Sequence, residues 1–221
     1  MDYEERSCGV KKIGFNTMFE KDPCLVMNTS PHSPHSIILD LISPNSTLLD
    51  VGCNTGFIGK ALKKKNIISD GIDVNKDALK IAKKYYRSTY LQDLSSGILN
   101  IPKNKYDYIL FIDLLEHLPR PDLLLKSAKK NLKDKGFIIV SLPNVARLEI
   151  RMNLLFGKFD YTDSGILSED HLRFFTRDSA VKMIRESGYK VLKIIPSGLG
   201  HMMRLFETLT AFQFIFVCKS K

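Results

Sequence analysis

The segment from Leu48 to Gly56 constrains the fold more than any other part of this sequence. An apolar run ends in the acid Asp50, a turn of small residues follows, and a helical pattern begins at Phe57. Glycines such as Gly52 and Gly56 remove side chains where a ligand must come close to the backbone. A buried strand, a tight turn and a helix in this order predict a site for a nucleotide-like ligand at the end of the strand.

Length and composition are typical of a globular protein. The chain has 221 residues, of which 44% are hydrophobic and 26% charged, and this length allows a core without disulfides. The cysteines at positions 8, 24, 53 and 218 include no C-x-x-C pair, so we expect reduced thiols in a cytoplasmic protein. The acidic start and the strand-sized apolar runs predict neither a signal peptide nor a transmembrane segment.

Strand-like and helical patterns alternate along most of the chain. The predicted strands are 47–51, 68–73, 88–91, 106–112 and 136–142, and the predicted helices are 56–65, 75–86, 121–133 and 177–187. Such alternation predicts an α/β fold, in which helices cover both faces of a doubly wound parallel sheet and ligands bind at the carboxyl ends of the strands. Two closing strand-like runs, 189–195 and 212–217, predict an antiparallel hairpin at one edge, which gives a mostly parallel sheet of seven strands.

No repeat or low-complexity linker divides the chain, so we expect one domain over residues 1–221, with an N-terminal extension at 1–36. A long insertion, 143–176, follows the fifth strand and carries an apolar helical stretch from Leu148 to Phe156. Its position predicts a lid or an acceptor pocket over the ligand. A dimer face, or peripheral contact with a membrane-bound substrate, is the alternative.

The spacing of the glycines distinguishes two kinds of nucleotide site. A dinucleotide site has Gly-x-Gly-x-x-Gly, whereas this chain has Gly52-x-x-x-Gly56-x-x-Gly59. Asp50 would repel a pyrophosphate and suits a cationic ligand. Asn54 stands where a third glycine would be common, and asparagine tolerates a left-handed backbone. The turn therefore disfavours a nicotinamide-dependent oxidoreductase.

Acidic residues also follow the next three strands. Asp73 ends the second strand about 20 residues after the turn, where a carboxylate holds a ribose diol. A helix N-cap is the alternative role for it. Asp93 follows the third strand, in reach of an adenine amino group, and Asp113 ends the fourth. Together and in this order, the acids indicate a ligand that contains adenosine.

These motifs resemble those of class I S-adenosylmethionine-dependent methyltransferases over nearly the whole chain. Within this class, the chain resembles the branch of the ubiquinone-biosynthesis O-methyltransferases and, more closely, methyltransferases associated with glycan and cell-surface polysaccharide synthesis. The resemblance is carried by Leu49-Asp50-Val51-Gly52-Cys53-Asn54-Thr55-Gly56, Leu115-Glu116-His117-Leu118, Ser141-Leu142-Pro143-Asn144-Val145, the run 159–167 and His171-Leu172-Arg173-Phe174-Phe175-Thr176. It implies a Rossmann-like sheet.

The resemblance also implies which residues bind S-adenosylmethionine. The set is Asp50, Gly52, Cys53, Asn54, Gly56, Asp73, Val74, Asp93, Leu94 and Asp113. In this set Asp73 would bind the ribose hydroxyls, and Asp93 and Leu94 would frame the adenine. Asp113 would border the site of methyl transfer and is, with His117, a candidate catalytic residue.

A hydroxyl acceptor needs a base or a metal to become nucleophilic. His117 is expected to be the catalytic base, because histidine titrates near neutral pH. Asp113, Glu116 and His117 also resemble the acid-x-x-Glu-His arrangement that binds Mg²⁺ in ubiquinone-type relatives. Since Asp113 is shorter than the Glu of that arrangement, we expect no bound metal and keep Mg²⁺ as the alternative. In a further alternative, Glu116 and His117 only order the loop.

Tyr161, His171 and Arg173 of the insertion are the candidate acceptor contacts. Arg173 suits a phosphate or a carboxylate, so an anionic acceptor is compatible with this set. The alternative is that His171 and Arg173 are structural anchors of the insertion.

The net charge of +9 comes largely from lysines in three clusters, 60–65, 80–84 and 126–135, all on predicted helices. Solvated helix faces are the expected explanation, and attraction to an anionic partner is the alternative. We expect O-methylation of a sugar, a glycan intermediate or another small molecule. Methylation of nucleic acid is disfavoured, since the clusters lack aromatic residues and the fourth strand ends in Asp113-Leu114-Leu115-Glu116 rather than an Asn-Pro-Pro-Tyr-type motif. A non-catalytic module is disfavoured because the cofactor residues are retained.

Overall fold

The computed structural model describes residues 32–102, 105–202 and 204–221. The expected N-terminal extension therefore lies outside the described residues up to position 31, as do Cys8 and Cys24. The two cysteines within the described part, Cys53 and Cys218, are buried and free.

Seven strands form one sheet in the order β3-β2-β1-β4-β5-β7-β6. The strands are β1 (Thr47–Val51), β2 (Ile68–Asp73), β3 (Ser88–Leu91), β4 (Tyr106–Ile112), β5 (Leu132–Pro143), β6 (Tyr189–Pro196) and β7 (Gln213–Ser220). Strands β1 to β5 pair in parallel, and β7 lies antiparallel between β5 and β6. The predicted α/β, mostly parallel, seven-stranded sheet is confirmed, with β6 as the edge strand of the C-terminal hairpin.

The helices follow the strands in the expected alternation. They are α1 (Pro34–Leu41), α2 (Phe57–Leu62), α3 (Lys76–Ala82), α4 (Pro121–Ala128), α5 (Leu148–Leu155), α6 (Arg177–Glu186), α7 (Leu199–Met202) and α8 (Glu207–Thr210). Helices α2 and α4 continue as 3-10 turns at Lys63–Lys65 and Lys129–Asn131. The α-helix predicted at 75–86 ends already at Ala82, and Tyr86 beyond it is buried.

Side chains of alternating direction place a core on each face of the sheet. In β4, Ile109 and Phe111 contribute to one core, whereas Leu110 and Ile112 contribute to the other. Residues of α4 and α6 complete the first core, and residues of α1 and α2 complete the second. Because both faces are covered, the polar crevice forms at the carboxyl ends of the strands.

Candidate active site

The sheet brings the sequence-predicted acids to one edge. Asp50 lies near the end of β1 and Asp73 at the end of β2, while Asp93 is the second residue after β3 and Asp113 comes directly after β4. These strands are neighbours and run in parallel. Their carboxyl ends therefore form a common rim.

The turn after β1 has a left-handed backbone at three positions. The φ angles are 82° at Gly52, 46° at Asn54 and 85° at Gly56. A Cβ atom on Gly52 would lie 3.1 Å from a methyl of Leu114, and one on Gly56 would lie 3.0 Å from the ring of Tyr86. Glycine is thus required at both ends of the turn, and asparagine adopts the left-handed backbone that the sequence suggested at position 54.

Asp73 connects this turn to the end of β2. Its Oδ2 accepts a hydrogen bond from the Asn54 N–H at 2.7 Å, and its Oδ1 accepts one from the Asn75 N–H at 2.8 Å. Burial raises the pKa of the Asp73 carboxyl, and these backbone N–H groups oppose the rise. The N-cap of α3 is Asn75, whose Oδ1 accepts from Asp77 and Ala78. The alternative role of Asp73 as the helix cap is therefore wrong.

Asp50 supports the turn from within the core. It is 3% exposed, and its carboxylate accepts a hydrogen bond from the Tyr86 hydroxyl, which itself accepts one from the Gly59 N–H at 3.2 Å. Burial raises the pKa of Asp50 to about 7; the Tyr86 bond opposes this rise, and the charge of Asp73 adds to it. The side chain of Asp50 thus orders the turn.

Sequence reasoning missed Tyr86, although a signal existed in two glycines. A Cβ atom on Gly59 would lie 2.7 Å from the Tyr86 ring, and one on Gly71 would lie 3.0 Å from it. The absence of a side chain at Gly59 on α2 and at Gly71 on β2 therefore makes room for the buried ring of Tyr86.

The remaining cofactor candidates differ in exposure. Val74 is 51% exposed beside Asp73, and Asp93 is exposed, with its Oδ1 accepting from the Ser95 N–H at 2.8 Å. The side chains of Leu94 and Cys53 are 5% and 1% exposed. Leu94 can therefore offer a ligand little but its backbone, and burial raises the pKa of the Cys53 thiol, which stays neutral.

Asp113 is oriented by two strands that lie far from it in sequence. Its Oδ1 accepts hydrogen bonds from the Ser141 Oγ at 2.6 Å and the Gln213 Nε2 at 2.9 Å, and its φ of 47° is left-handed. His35 of α1 also lies near Asp113: burial lowers the pKa of His35, and the charge of Asp113 opposes the shift. Sequence reasoning did not predict that Ser141, Gln213 or His35 would lie at Asp113, since no local spacing connects them to it.

Glu116 and His117 lie on the 3-10 turn Leu115–His117 that follows β4. Glu116 is 1% exposed, and neither of its carboxyl oxygens has a hydrogen-bond partner. Burial and the charge of Asp113 raise the pKa of Glu116 well above its usual range. Burial lowers the pKa of His117, and the neighbouring His171 lowers it further. Its ring is therefore neutral at neutral pH.

The end of the insertion packs against this turn. The N–H groups of Leu172 and Arg173 donate to the Glu116 carbonyl at 2.9 and 3.0 Å, and the Arg173 guanidinium donates to the Pro119 carbonyl. The rings of His171 and His117 meet edge to face, with centroids 4.8 Å apart. Arg173 thus has an anchoring role in the structure, whereas His171 reaches the predicted catalytic histidine.

Three aromatic rings lie beside these histidines. Tyr161, Phe159 and Phe174 form a cluster with centroids 5.6 to 6.1 Å apart, and Phe174 contacts His171 at 6.2 Å. Tyr161 is 58% exposed. The insertion therefore presents an aromatic surface next to the turn that carries His117.

Helix α5 of the insertion and its C-cap residue leave most of their apolar side chains in solvent. Exposed apolar residues are Leu148, Met152, Leu154, Leu155 and Phe156. Basic residues on or near the helix are Arg147, Arg151 and Lys158. Throughout the described ranges, every helix is too short or too polar to cross a bilayer.

A family model described as "Methyltransferase domain" matches residues 32–194 of this chain. The chain is also 31% identical over 106 residues to the ubiquinone biosynthesis O-methyltransferase of Haemophilus ducreyi, a match that covers 44% of this chain and 45% of that protein. The protein of the same name from Coxiella burnetii is 31% identical over 103 residues, which cover 44% of this chain and 43% of that protein. The chain thus spans less than half the length of the curated relatives it matches.

Solved structures show the same fold at low sequence identity. A SAM-dependent methyltransferase from Aquifex aeolicus has a TM-score of 0.63 at 16% identity, and the match covers 94% of this chain and 98% of that one. One from Archaeoglobus fulgidus has a TM-score of 0.62 at 16% identity, and the match covers 90% of this chain and 100% of that one. The [4+2]-cyclase SpnF has a TM-score of 0.58 at 14% identity, and the match covers 84% of this chain and 80% of that one. At such identities, the likeness concerns the fold alone.

Proposed function

This chain belongs to the methyltransferase-domain family, in its S-adenosylmethionine-dependent class, and on that premise we propose that it methylates a hydroxyl group of a sugar, a glycan intermediate or another small molecule. The observation that carries the proposal is the contact between two motifs at the sheet edge. His117, after β4, meets His171 of the insertion, beside an aromatic cluster. Cofactor and acceptor residues would thus face each other across the ends of β1 to β4.

The cofactor would bind along the glycine turn and the ends of β2 and β3. Asp73 has both oxygens fixed by backbone N–H groups, and the further lone pairs of a carboxylate can accept from ribose hydroxyls. Val74, exposed beside it, offers an apolar contact for the nucleoside. When bound, S-adenosylmethionine supplies a methyl group on a positively charged sulfur, and the protein supplies alignment and exclusion of water.

His117 would accept the proton of the acceptor hydroxyl. Because burial lowers its pKa, the imidazole keeps a free lone pair at neutral pH, as a general base requires. Its Nδ1 lies 3.2 Å from the Asp170 carbonyl. A proton on Nδ1 would satisfy that contact and leave Nε2 as the base.

Residues 143–176 would form the wall or lid of the acceptor pocket within a one-domain chain. Aromatic rings such as Tyr161 suit the flat apolar face of a sugar or an aromatic ring. The basic residues near α5 suit an acceptor that carries phosphate or carboxylate groups. The exposed apolar side chains of α5 are also compatible with an acceptor bound to a membrane surface.

Two other functions fit the fold less well. A nucleic-acid methyltransferase would place its basic residues around the site, whereas the lysine clusters lie on α2, α3, α4 and the segments directly after them, and Lys126 pairs with Asp122. A non-catalytic cofactor-binding module would not need neutral His117 beside His171. Both alternatives remain distinguishable by the same experiment.

Calorimetry with S-adenosylmethionine, followed by transfer of labelled methyl groups to separated cell fractions, tests the proposal. We expect the wild type to bind the cofactor and to label the glycan or small-molecule fraction. His117→Ala should keep cofactor binding and lose transfer, by about 10²- to 10⁴-fold if the residue is the base. Label in RNA alone would support the nucleic-acid alternative, and cofactor binding without any transfer would support the non-catalytic one.

A further inference from the structure

We propose that Glu116, His117 and His171 form a binding site for one divalent transition-metal ion, with Zn²⁺ as the ion that these donors suit best. The site joins the turn after β4 to the insertion. One ligand atom of each residue lies within 4.8 Å of those of the other two, which is close enough to hold one ion. Among the described residues, this is the cluster of three or more His, Cys, Asp or Glu side chains that meets this condition.

The side chain of Glu116 is isolated from hydrogen-bond partners. Its carboxyl group is buried, and neither oxygen accepts or donates a hydrogen bond. A buried carboxyl without any partner is costly, because it has given up its contacts with water. A bound cation would compensate both oxygens at once. The Glu116 backbone is already fixed by Leu172 and Arg173, so the side chain is held where the insertion closes on it.

The two histidines are oriented by backbone carbonyls. The Nδ1 of His117 lies 3.2 Å from the Asp170 carbonyl, and the Nδ1 of His171 lies 3.0 Å from the Ile166 carbonyl. A carbonyl can only accept, so each Nδ1 carries a proton, and Nε2 is the ring nitrogen that remains to bind an ion. Metal-binding histidines use the same arrangement, in which one ring nitrogen donates to a carbonyl and the other binds the ion.

The spacing of the donors requires only a small closure. Zinc bonds of about 2.1 Å place tetrahedral ligand atoms about 3.4 Å apart, and here one ligand atom of each of the three residues, a ring nitrogen or a carboxylate oxygen, lies within 4.8 Å of the others. Movements of about 1 Å by rotation of the side chains would close the site. His171 belongs to the exposed insertion and is only partly buried, so it has room for this movement.

The donors also differ from a magnesium set. Two imidazoles and one carboxylate suit zinc or iron, whereas Mg²⁺ prefers oxygen ligands. In the ubiquinone-type arrangement, Asp113 would be the third ligand with Glu116 and His117. Here Asp113 is bound to Ser141 and Gln213, and His171 takes its place in the cluster. This proposal departs from the sequence-based expectation of a metal-free site.

Three protein ligands leave at least one coordination position of a zinc ion open. An acceptor hydroxyl at that position would lose its proton more readily, so that the ion takes over the activation assigned above to the free His117 ring. This consequence rests on the proposed function. The binding of the ion does not, because it concerns the protein without cofactor or acceptor.

The test is a titration of the full chain, stripped with a chelator, with Zn²⁺ by calorimetry and with Co²⁺ by visible absorption. We expect one ion per chain and weaker binding of Mg²⁺. His171→Gln and Glu116→Gln should each weaken Zn²⁺ binding at least tenfold. Asp113→Asn removes a negative charge near Glu116 but no ligand, so it should weaken Zn²⁺ binding less than His171→Gln does. His201→Gln, at a ring that stacks on His32, should leave Zn²⁺ binding unchanged, as should Cys8→Ser with Cys24→Ser, which removes thiols that could compete for zinc.

Several results would overturn the proposal. These are a wild type without stoichiometric Zn²⁺ binding, an Asp113→Asn variant that loses as much affinity as His171→Gln, or tighter binding of Mg²⁺ than of Zn²⁺. Circular dichroism and S-adenosylmethionine calorimetry of each variant show whether it is folded. Should Glu116→Gln fail to fold, His171→Gln still decides, since its ring is partly exposed. A wild type that binds S-adenosylmethionine but no Zn²⁺ would refute the ion site and leave the proposed methyltransferase intact.

Discussion

The hydroxyl of Tyr86 donates a hydrogen bond to the buried carboxylate of Asp50 and accepts one from the backbone of Gly59. One phenol therefore connects the end of β1 to the first turn of α2, on either side of the glycine turn. The two residues are separated by 36 positions in the sequence. The shape of the predicted cofactor turn thus depends on a tyrosine that lies beyond the end of α3.

Tyr86→Phe should destabilise the protein and loosen the glycine turn. Removal of the hydroxyl leaves Asp50 without its hydrogen-bond donor in a buried place, which costs about 1–3 kcal/mol. Chemical denaturation measures this loss, and calorimetry should show weaker S-adenosylmethionine binding. Tyr85→Phe is the matched control, because the Tyr85 ring is only partly buried, near the ammonium groups of Lys60 and Lys63. Equal losses in the two variants would contradict the role of Tyr86.

Asp50 should make folding less favourable as the pH rises from about 4 to about 7. Its pKa is raised to about 7 in the folded protein, whereas that of an unfolded aspartate is about 3.9. In this window the folded state binds the extra proton, so the free energy of unfolding falls with rising pH and levels off above about 7. The fall is on the order of 4 kcal/mol at most, since one pKa unit corresponds to about 1.4 kcal/mol.

The variant Asp50→Asn isolates this effect from the other carboxyl groups. Its free energy of unfolding is measured by denaturation at several pH values and subtracted from that of the wild type. The difference should decline between pH 4 and 7. A difference that stays constant across this range would show that Asp50 does not titrate as its burial requires.

Asp73→Asn should weaken S-adenosylmethionine binding strongly. The change replaces one acceptor oxygen by an N–H₂ group that faces a backbone N–H of Asn54 or Asn75. It also removes the negative charge of the carboxylate that would accept hydrogen bonds from the ribose hydroxyls. Loss of a hydrogen bond to a charged group costs about 1.5–3 kcal/mol, which is about 10- to 150-fold in affinity. Calorimetry with S-adenosylmethionine measures this loss of affinity. Asp77→Asn, at an exposed ion pair with Lys80, should bind as the wild type does.

Tyr161→Ala should reduce methyl transfer about tenfold while cofactor affinity stays unchanged. The ring is largely exposed in the aromatic cluster of the insertion, so its removal disturbs the fold little, and we expect a change in stability within about 0.5 kcal/mol. Tyr161→Phe keeps the ring and should retain most of the activity. If the alanine variant labels the acceptor fraction as well as the wild type, Tyr161 does not line the acceptor site.

Asn144→Ala should loosen both ends of the insertion. The buried Nδ2 of Asn144 donates to the carbonyls of Thr208 and Ala211, and a β-bridge connects Asn144 to Phe175. Two carbonyls would lose their donor at a cost of about 2–4 kcal/mol in the free energy of unfolding. Denaturation measures this cost. Asn153→Ala, at an exposed position on α5, is the control and should unfold as the wild type does.

Much of the site could be predicted because its residues are adjacent to strand ends. Asp73, Asp93 and Asp113 each close or follow a strand, so their place at the rim follows from parallel pairing alone. The same reasoning could not assign orientation. It treated Asp113, Glu116 and His117 as one set, whereas β5 and β7 turn Asp113 toward Ser141 and Gln213. It also left His171 apart from His117, since they lie 54 positions apart in the sequence.

The sequence by itself determined the α/β fold, the boundaries of β1 to β4 and the glycine turn, because these depend on the periodicity of apolar residues and on backbone freedom at a few positions. The predicted bounds of two later strands were wrong, since β5 begins four residues earlier and β7 ends three residues later than predicted. Only the tertiary structure decided what each buried polar group contacts. It paired Asp50 with Tyr86 and brought His171 to Glu116 and His117. The physical reason is that such contacts join segments that are distant in the sequence. Burial makes each of these hydrogen bonds and charges energetically important, but no local sequence pattern encodes which distant residue will be the partner.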